Sequence, residues 1–179
     1  SQYPGIVSMR APENGGIPYE VLVKRERVFH KPSPELRLAL QHYQKEVRNL
    51  LFRNEGFWKL HGRGVIHGFV RERSILTHAY MHKYARTILQ LDLVRAFAST
   101  TKERTLMALK DLGADESLLS FIEQNAFVED ALPLGFPTSP VLFNTVLLPL
   151  DEFLANYARE NGFVYSRYSD NLAFSTKKK

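Results

Sequence analysis

The sequence predicts an α+β fold, because strand-like runs near both ends of the chain flank a middle that is mostly helical in pattern. Runs rich in β-branched and aromatic residues, interrupted by short polar turns, occur at 19–32 and 163–175 and are typical of hairpins. Apolar residues spaced three and four apart, with Ser or Asp before them, indicate helices between these runs. An apolar run at 87–94 adds one more strand.

The composition is that of a globular protein with a basic balance of charge. The chain has 179 residues, of which 44% are hydrophobic and 24% charged, with a net charge of +5 and no cysteine. This length suffices for one core, or for two subdomains that share one. The lack of cysteine excludes disulfides and thiolate metal sites, and the positive charge favours a polyanionic partner. With no apolar run of about 18 residues and no signal pattern, we expect a soluble, cytoplasmic protein without a membrane partner.

The first third of the chain predicts a hairpin followed by a long helix. Residues 1–18 are rich in Pro and Gly and predict an irregular lead-in. The segments 19–23 and 27–32 read as the two strands of a hairpin that carries several basic side chains. A Ser-Pro pair at Ser33 then begins a helix whose apolar face continues through about residue 53.

A second helix is predicted after Ser74, which can serve as its N-cap. We expect its apolar side chains to face inward, namely Ile75, Leu76, Ala79, Tyr80 and Tyr84. His78 and His82 lie four residues apart, the spacing at which two imidazoles share a metal. The Glu of an HExxH motif and a third ligand are both lacking, so we expect hydrogen-bonded or solvent-facing histidines instead.

Two acidic residues are the candidate catalytic groups. In the stretch 87–97, Asp92 lies at the end of what should be a buried strand. Burial of a lone carboxylate costs several kcal/mol or more of free energy unless the group is paired, protonated or bound to a cation. Asp170 lies at a turn between the strand-like runs 163–168 and 172–175. We expect the fold to bring Asp92 and Asp170 together around divalent metal for phosphoryl transfer. The simpler alternative is that each is an ordinary strand-end or turn residue.

The segment between the two acids predicts three helices and a rigid loop. Residues 99–112 form the first helix, and Asp115 caps the second. Two prolines, a glycine and a Ser-Pro pair in residues 132–140 predict a rigid loop. This loop leads into a long helix at 140–160 that Pro149 should kink.

Three motifs follow one another along the chain, LDLVRAF, LPLGFPTSPVLFN and YSRYSDN. In order and spacing they resemble motifs of reverse transcriptases, particularly the bacterial retron and group II intron types. The first resembles the first palm motif, the second resembles LPQGxPTSPxLSN, and the third resembles the YxRYxDD hairpin. The resemblance covers roughly residues 19–176 and ends before the primer-grip and thumb elements.

The resemblance implies the fingers and palm of a right-hand polymerase, without a thumb in this chain. The implied palm is a small antiparallel, ferredoxin-like sheet backed by helices. The fingers would comprise residues 1–84 and 104–137, and the palm would comprise 85–103 and 138–179.

The resemblance also implies roles for individual residues. The metal, Mg2+ or Mn2+, would be held by Asp92, the Leu93 carbonyl and Asp170, with Asn171 completing the catalytic set. The residues implied to contact the nucleotide are Arg27, Phe97, Leu134 and Gly135. The residues implied to contact nucleic acid are Arg71, Arg73 and Tyr168.

The implied partners are an RNA template, a DNA or RNA primer and deoxynucleotides. Because the sequence stops at Lys179 just after a strand, we expect either a disordered tail or a fragment. The partner of a fragment would be the remainder of a longer polymerase chain, including the thumb.

Four departures from the family pattern leave a second hypothesis open. Asn171 stands in place of the second Asp of the hairpin, and Leu134 stands in place of a Gln. Arg95 and Ala96 stand where the family commonly has Asp or Lys and Phe. The fingers turn lacks the usual paired glycines. The first hypothesis is therefore a reverse transcriptase of impaired activity, and the alternative is a catalytically inactive RNA-binding scaffold. A palm-type nucleotide cyclase is a third hypothesis, which the LPLGFPTSP loop disfavours. Retroelement mobility, a retron system and antiviral defence all stay open as cellular roles.

Overall fold

A computed structural model describes residues 6–10, 19–24 and 27–178, with side chains from Val28 onward. The strands are β1 (Ile6–Arg10), β2 (Tyr19–Lys24), β3 (Arg27–Pro32), β4 (Thr87–Asp92), β5 (Val164–Tyr168) and β6 (Asn171–Thr176). The helices are α1 (Pro34–Arg53), α2 (Glu55–Gly62), α3 (Ile75–Met81), α4 (Lys102–Asp111), α5 (Glu116–Asn125) and α6 (Ser139–Glu160). In the described ranges, the α+β prediction is confirmed.

The chain divides into two compact units, each made of two separate stretches. The first unit comprises Ser1–Leu50 and Phe97–Thr145, and the second comprises Leu51–Ala96 and Val146–Lys179. Strands β1, β2 and β3 form a sheet in that order, and a second sheet has the order β4-β6-β5. Each unit therefore has a three-stranded antiparallel sheet of its own.

The sheet of the first unit contains the predicted hairpin and one additional strand. Strands β2 and β3 pair from Tyr19 opposite Pro32 to Lys24 opposite Arg27. Strand β1 lies in the stretch that the sequence predicts to be irregular, and it pairs with β2. Pairing with a neighbouring strand satisfies the backbone of β1, and local sequence signals do not reveal such pairing.

The helices of the first unit follow the predicted patterns. In α1 the side chains of Leu36, Leu40 and Val47 are buried, as the spacing predicts. The ring of Tyr43 stacks on Phe121 of α5 with 3.7 Å between ring centroids. Asp115 caps α5, since its Oδ1 accepts a hydrogen bond of 2.8 Å from the backbone N–H three residues on.

The sheet of the second unit places an exposed strand at one edge. Strand β4 pairs with β6 from Thr87 opposite Thr176 to Asp92 opposite Asn171. All six residues of β4 are exposed, so the prediction of a buried strand is wrong. An apolar run predicts burial only if another element covers the strand, and β4 pairs with β6 on one side only. The burial argument for a partner of Asp92 therefore does not apply.

Helix α3 presents the opposite face to the one predicted. Tyr80 and Tyr84 are exposed, together with Ile75, whereas His78 and His82 are buried. The physical reason at His82, the residue after α3, is that β5 and β6 offer hydroxyl groups to both nitrogens of its ring. The Nε2 of His78 is buried without a hydrogen-bond partner among the described residues. Apolar periodicity does not detect a helix whose inward face is polar.

Helix α2 was not predicted, and its start is set by a side-chain cap. The Oδ1 of Asn54 accepts a 2.9 Å hydrogen bond from the Phe57 backbone N–H. Phe57 and Leu60 are buried, whereas Trp58 is exposed. None of the helices in the described ranges combines the length and apolar composition needed to cross a bilayer.

Candidate active site

The pairing of β4 with β6 brings the two candidate acids to one corner of the sheet. Asp92, the last residue of β4, lies opposite Asn171, the first residue of β6. The next backbone N–H, that of Leu93, donates a hydrogen bond of 2.9 Å to the carbonyl of Asp170. The Nδ2 of Asn171 donates to Asp170 Oδ1 at 3.3 Å. Asp92 and Asp170 are thus neighbours across paired strands although 78 positions separate them in the sequence.

The acids are accessible from solvent. Asp92 and Asn171 are exposed, and Asp170 is half-buried. Ions in solution can therefore reach this corner of the sheet. The oxygen atoms of the two carboxylates are hard ligands of the type that Mg2+ prefers.

The donor set fits a magnesium ion that keeps other ligands. Among residues 28–178, no group of three or more His, Cys, Asp or Glu side chains is placed to hold a metal ion. Mg2+ is commonly held by one or two carboxylates with waters and substrate phosphates, instead of an all-protein cage. Asp92 and Asp170 could supply two such carboxylates.

The turn that carries Asp170 is held in place by Arg167. The Nη1 of Arg167 donates to the Ser169 carbonyl at 2.8 Å. Ser169 itself adopts a φ of +57°, in the left-handed region that is costly for most residues. Gly68 packs against the same turn, and a Cβ at this position would overlap the backbone nitrogen of Ser169. Both contacts fix the backbone that presents Asp170.

A buried ion pair lies beneath this turn. Arg167 and Asp151 are both fully buried, and Arg167 donates to the Asp151 carboxylate from Nε at 2.9 Å and from Nη2 at 2.6 Å. The hydroxyl of Tyr165 donates to the same carboxylate at 2.8 Å. Desolvation lowers the pKa of Arg167, but the Asp151 carboxylate more than offsets this effect, so the pKa stays above its usual value.

Sequence reasoning did not identify this ion pair. The signals available were an arginine inside a strand-like run, at Arg167, and an acid among apolar residues of a predicted helix, at Asp151. Each is a rare position for a charge unless it is paired. The pairing itself joins positions 16 residues apart and becomes visible only in the fold.

Three buried histidines lie on the other face of the β5–β6 hairpin. The ring of His78 lies 5.4 Å from that of His67 and 5.6 Å from that of His82. His82 bridges the hydroxyls of Ser166 and Ser175 at 2.7 Å each. Burial lowers the pKa of all three histidines, that of His67 to about 4, so the rings are neutral at pH 7.

The proton positions of His67 follow from its partners. Its Nε2 lies 2.8 Å from the Gly64 carbonyl, which can only accept, so Nε2 carries the proton. Its Nδ1 lies 2.8 Å from the Thr77 hydroxyl oxygen, whose one proton also faces the Ser74 carbonyl at 2.9 Å. The expectation of a hydrogen-bonded histidine is met at His82, whereas the Nε2 of His78 is buried and has no hydrogen-bond partner within residues 28–178.

The residues implied to contact nucleic acid differ in their surroundings. Arg71 is exposed, whereas Arg73 donates to the His61 carbonyl at 2.7 Å and so supports the backbone. Tyr168 is half-buried, with its ring centroid 6.1 Å from that of His78. These three residues belong to the second unit, as do the two acids.

The residues implied to contact the nucleotide belong to the first unit. The ring of Phe97 stacks on Phe143 at 4.8 Å. The Leu134 carbonyl accepts a hydrogen bond of 2.7 Å from His30, and a Cβ on Gly135 would lie 2.5 Å from the His30 carbonyl oxygen. The close approach that requires a glycine here is thus to strand β3. Arg27 is the first residue of β3, and its side chain lies outside the described part.

Comparison with known proteins identifies the family. A family model described as reverse transcriptase (RNA-dependent DNA polymerase) matches residues 30–179. The retron Mx162 reverse transcriptase of Myxococcus xanthus is 34% identical over 171 residues, covering 86% of this chain and 33% of that protein. The retron Ec86 reverse transcriptase of Escherichia coli is 34% identical over 154 residues, covering 86% of this chain and 45% of that protein.

A third relative, the retron Mx65 reverse transcriptase of Myxococcus xanthus, is 37% identical over 127 residues, covering 61% of this chain and 30% of that protein. The chain thus spans between a third and a half of the length of the curated relatives that it matches across 86% of its residues. Because the family match covers most of the sequence, this chain belongs to the reverse transcriptase family.

Proposed function

We propose that the chain is the part of an RNA-directed DNA polymerase that carries the metal-binding acids. The observation that supports this most directly is the register that sets Asp92 opposite Asn171, with Asp170 bonded to Leu93. Two carboxylates at one exposed corner of a sheet suit a metal-assisted transfer of nucleotides. The similarity to retron reverse transcriptases supports the same activity, since these proteins are named for it.

In this proposal Asp92 and Asp170 would hold Mg2+ or Mn2+, with the Leu93 carbonyl as a further ligand. The bound metal supplies Lewis-acid stabilisation of the phosphoryl oxygens during nucleotidyl transfer. Asn171 adds an amide without a charge, and its Nδ2 hydrogen bond orients the Asp170 carboxylate. A neutral residue at this position lowers the negative charge of the site, so we expect weaker metal binding than a third carboxylate would give.

The proposed substrates are deoxynucleotides, a primer and an RNA template. Arg27 would hold triphosphate oxygens with its planar guanidinium, and Phe97 would exclude a 2′-hydroxyl. Leu134 and Gly135 would line the nucleotide position, while Tyr168 would contact nucleic acid. We assign template contacts to Arg71 ahead of Arg73, because the guanidinium of Arg73 already serves the backbone.

The proposal divides the chain into the fingers and palm of a right-hand polymerase. The fingers comprise residues 1–84 and 104–137, and the palm comprises 85–103 and 138–179. In this assignment Asp92 and Asp170 lie in the palm. The thumb would come from the remainder of a longer polymerase.

Titration of Mn2+ tests the site directly. Proton relaxation of water reports bound Mn2+, and we expect Asp92→Asn to weaken binding at least about tenfold, because one of two charged ligands is lost. Asp111→Asn is the matched control, since this exposed acid lies at the end of α4. Equal Mn2+ affinity in the wild type and in the Asp92→Asn, Asp170→Asn double variant would reject the site.

A primer-extension assay distinguishes an active polymerase from a catalytically inactive scaffold. The neutral Asn171 favours the second candidate, a catalytically inactive RNA-binding scaffold. If the chain is a polymerase, incorporation of deoxynucleotides on a primed RNA template requires Asp92 and increases in Asn171→Asp. If it is a scaffold, RNA binding persists in EDTA, and neither the wild type nor Asn171→Asp incorporates nucleotide.

A further inference from the structure

Helix α3 and the chain after it expose an aromatic and cationic surface. Tyr80 and Tyr84 are 64% and 68% exposed. The ammonium group of Lys83 lies 3.6 Å from the ring centroid of Tyr80 and 4.5 Å from that of Tyr84. The Nζ of Lys177 lies 5.7 Å from the Tyr84 centroid. Each tyrosine ring therefore already contacts a cation on this surface.

A hollow of about 400 Å3 opens beside Tyr84. The residues that line it include two aromatic residues and two lysines, and six of the lining residues are Tyr84, Phe163, Ser175, Thr176, Lys177 and Lys178. No acidic side chain lines it among the described residues. A volume of this size falls in the range of pockets that accept small ligands, such as a single nucleotide.

The lysines of this surface form no salt bridge with acids of the described residues. None of the salt bridges in the described part of the chain involves Lys83, Lys177 or Lys178. Three cations within one surface attract a polyanion, and lysine ammonium groups bind phosphates as point charges.

The hollow is distinct from the acidic corner of the same sheet. It includes Thr176, which pairs with Thr87 at the start of β4, whereas Asn171 pairs with Asp92 at the end. Asn171 and Thr176 are five positions apart along β6, which corresponds to about 17 Å along the strand. A ligand in the hollow would therefore not compete with a metal at Asp92 and Asp170.

We propose that this hollow binds single-stranded RNA, with one unstacked base against Tyr84 and the flanking phosphates against Lys83, Lys177 and Lys178. An aromatic ring beside ammonium groups is the combination by which proteins hold single strands without reading their sequence. The choice of RNA over DNA rests on the proposed function, whereas the location rests on the cavity and its charges.

Fluorescence anisotropy with a labelled 12-nucleotide oligouridine RNA in EDTA tests the site apart from metal chemistry. We expect Tyr84→Ala to weaken binding about tenfold, because stacking on one base is lost, and Tyr84→Phe to bind like the wild type. The double variant Lys177→Gln, Lys178→Gln should reduce the slope of log affinity against log salt by about 1.4. Trp58→Ala is the control, since this exposed aromatic residue lies on α2 and should leave the affinity unchanged.

Crosslinking with 4-thiouridine RNA then locates the contact. We expect crosslinked peptides that contain Tyr84 or Lys177, and the same pattern in Asp92→Asn. Crosslinks confined to other peptides, with wild-type affinity in Tyr84→Ala and in the double lysine variant, would overturn the inference. Displacement of the RNA by an equal concentration of oligoglutamate would also overturn the inference, because the surface would then bind any polyanion through charge alone. Loss of primer extension with RNA binding intact would count against the polymerase but leave this site standing.

Discussion

Strands β4 and β5 lie on either side of β6, and their surroundings differ sharply. Every residue of β4 is exposed, whereas the three central residues of β5, including Arg167, are buried. The far side of β5 is covered by residues 65–67, whose backbone exchanges hydrogen bonds with Arg167 at 2.7 and 2.9 Å. The acidic corner thus combines Asp92 from an exposed edge with Asp170 from a turn that rests on a buried polar network. This contrast predicts that the free energy of unfolding depends on the buried residues of β5, and that metal binding depends on Asp92 at the end of β4.

The largest effect is expected where the ion pair is broken. Arg167→Met leaves the Asp151 carboxylate buried without its cation, so the free energy of unfolding should fall by about 3–5 kcal/mol. Urea unfolding measures this change. The double variant Asp151→Leu, Arg167→Met removes both charges and should lose less than Arg167→Met alone. A loss below about 1 kcal/mol for Arg167→Met would contradict the contrast between the two strands.

A second effect concerns the contact between Gly68 and the turn that carries Asp170. In Gly68→Ala the new methyl group would overlap the Ser169 backbone, so the turn must move. We expect a loss of about 1–3 kcal/mol in unfolding free energy, as for other overpacked sites, and weaker Mn2+ binding. Gly62→Ala is the matched control, because no atom lies within 4 Å of its added Cβ, and it should be neutral or slightly stabilising. Equal Mn2+ affinity in both variants would show that the turn does not position Asp170.

The buried histidines make the stability of the second unit depend on pH. The pKa of His67 is about 4 in the folded protein, below the ordinary 6.5, so the unfolded chain takes up the proton first. Stability from this group is complete above pH 6.5 and decreases as the pH falls towards 4, by about 2 kcal/mol at pH 5. His78 and His82 shift in the same direction and add to the loss. Urea unfolding at pH 8 and pH 5 measures it, and His67→Gln should reduce the difference.

Prediction from sequence succeeded where the signal is local. The Ser-Pro start and apolar spacing predicted α1, and the turn at Asp170 predicted the β5–β6 hairpin, because caps, periodicity and turns depend on neighbouring residues. The motifs also predicted that Asp92 and Asp170 become neighbours, which the register of β4 and β6 bears out.

The failures share a different cause, which is dependence on distant partners. The exposure of β4 is decided by what covers it, and the hydrogen bonding of buried His82 by serines more than 80 positions away in sequence. Asp151 and Arg167 each resembled an isolated charge until the fold joined them. The metal, nucleotide and template roles of the individual residues stay predictions that the experiments above address.

The smallest effect is expected at Leu91, which faces Leu172 across β4 and β6. Leu91 is 48% exposed and Leu172 is 4% exposed, although they are register partners. Leu172→Ala removes packed methyl groups and should cost about 2–5 kcal/mol, whereas Leu91→Ala removes groups that water already contacts and should cost less than about 1 kcal/mol. Urea unfolding of the two variants under identical conditions measures the two losses, and both variants make the same change at paired positions of the sheet. Equal losses would mean that β4 is covered in solution, and the exposed edge that distinguishes it from β5 would then belong to an interface.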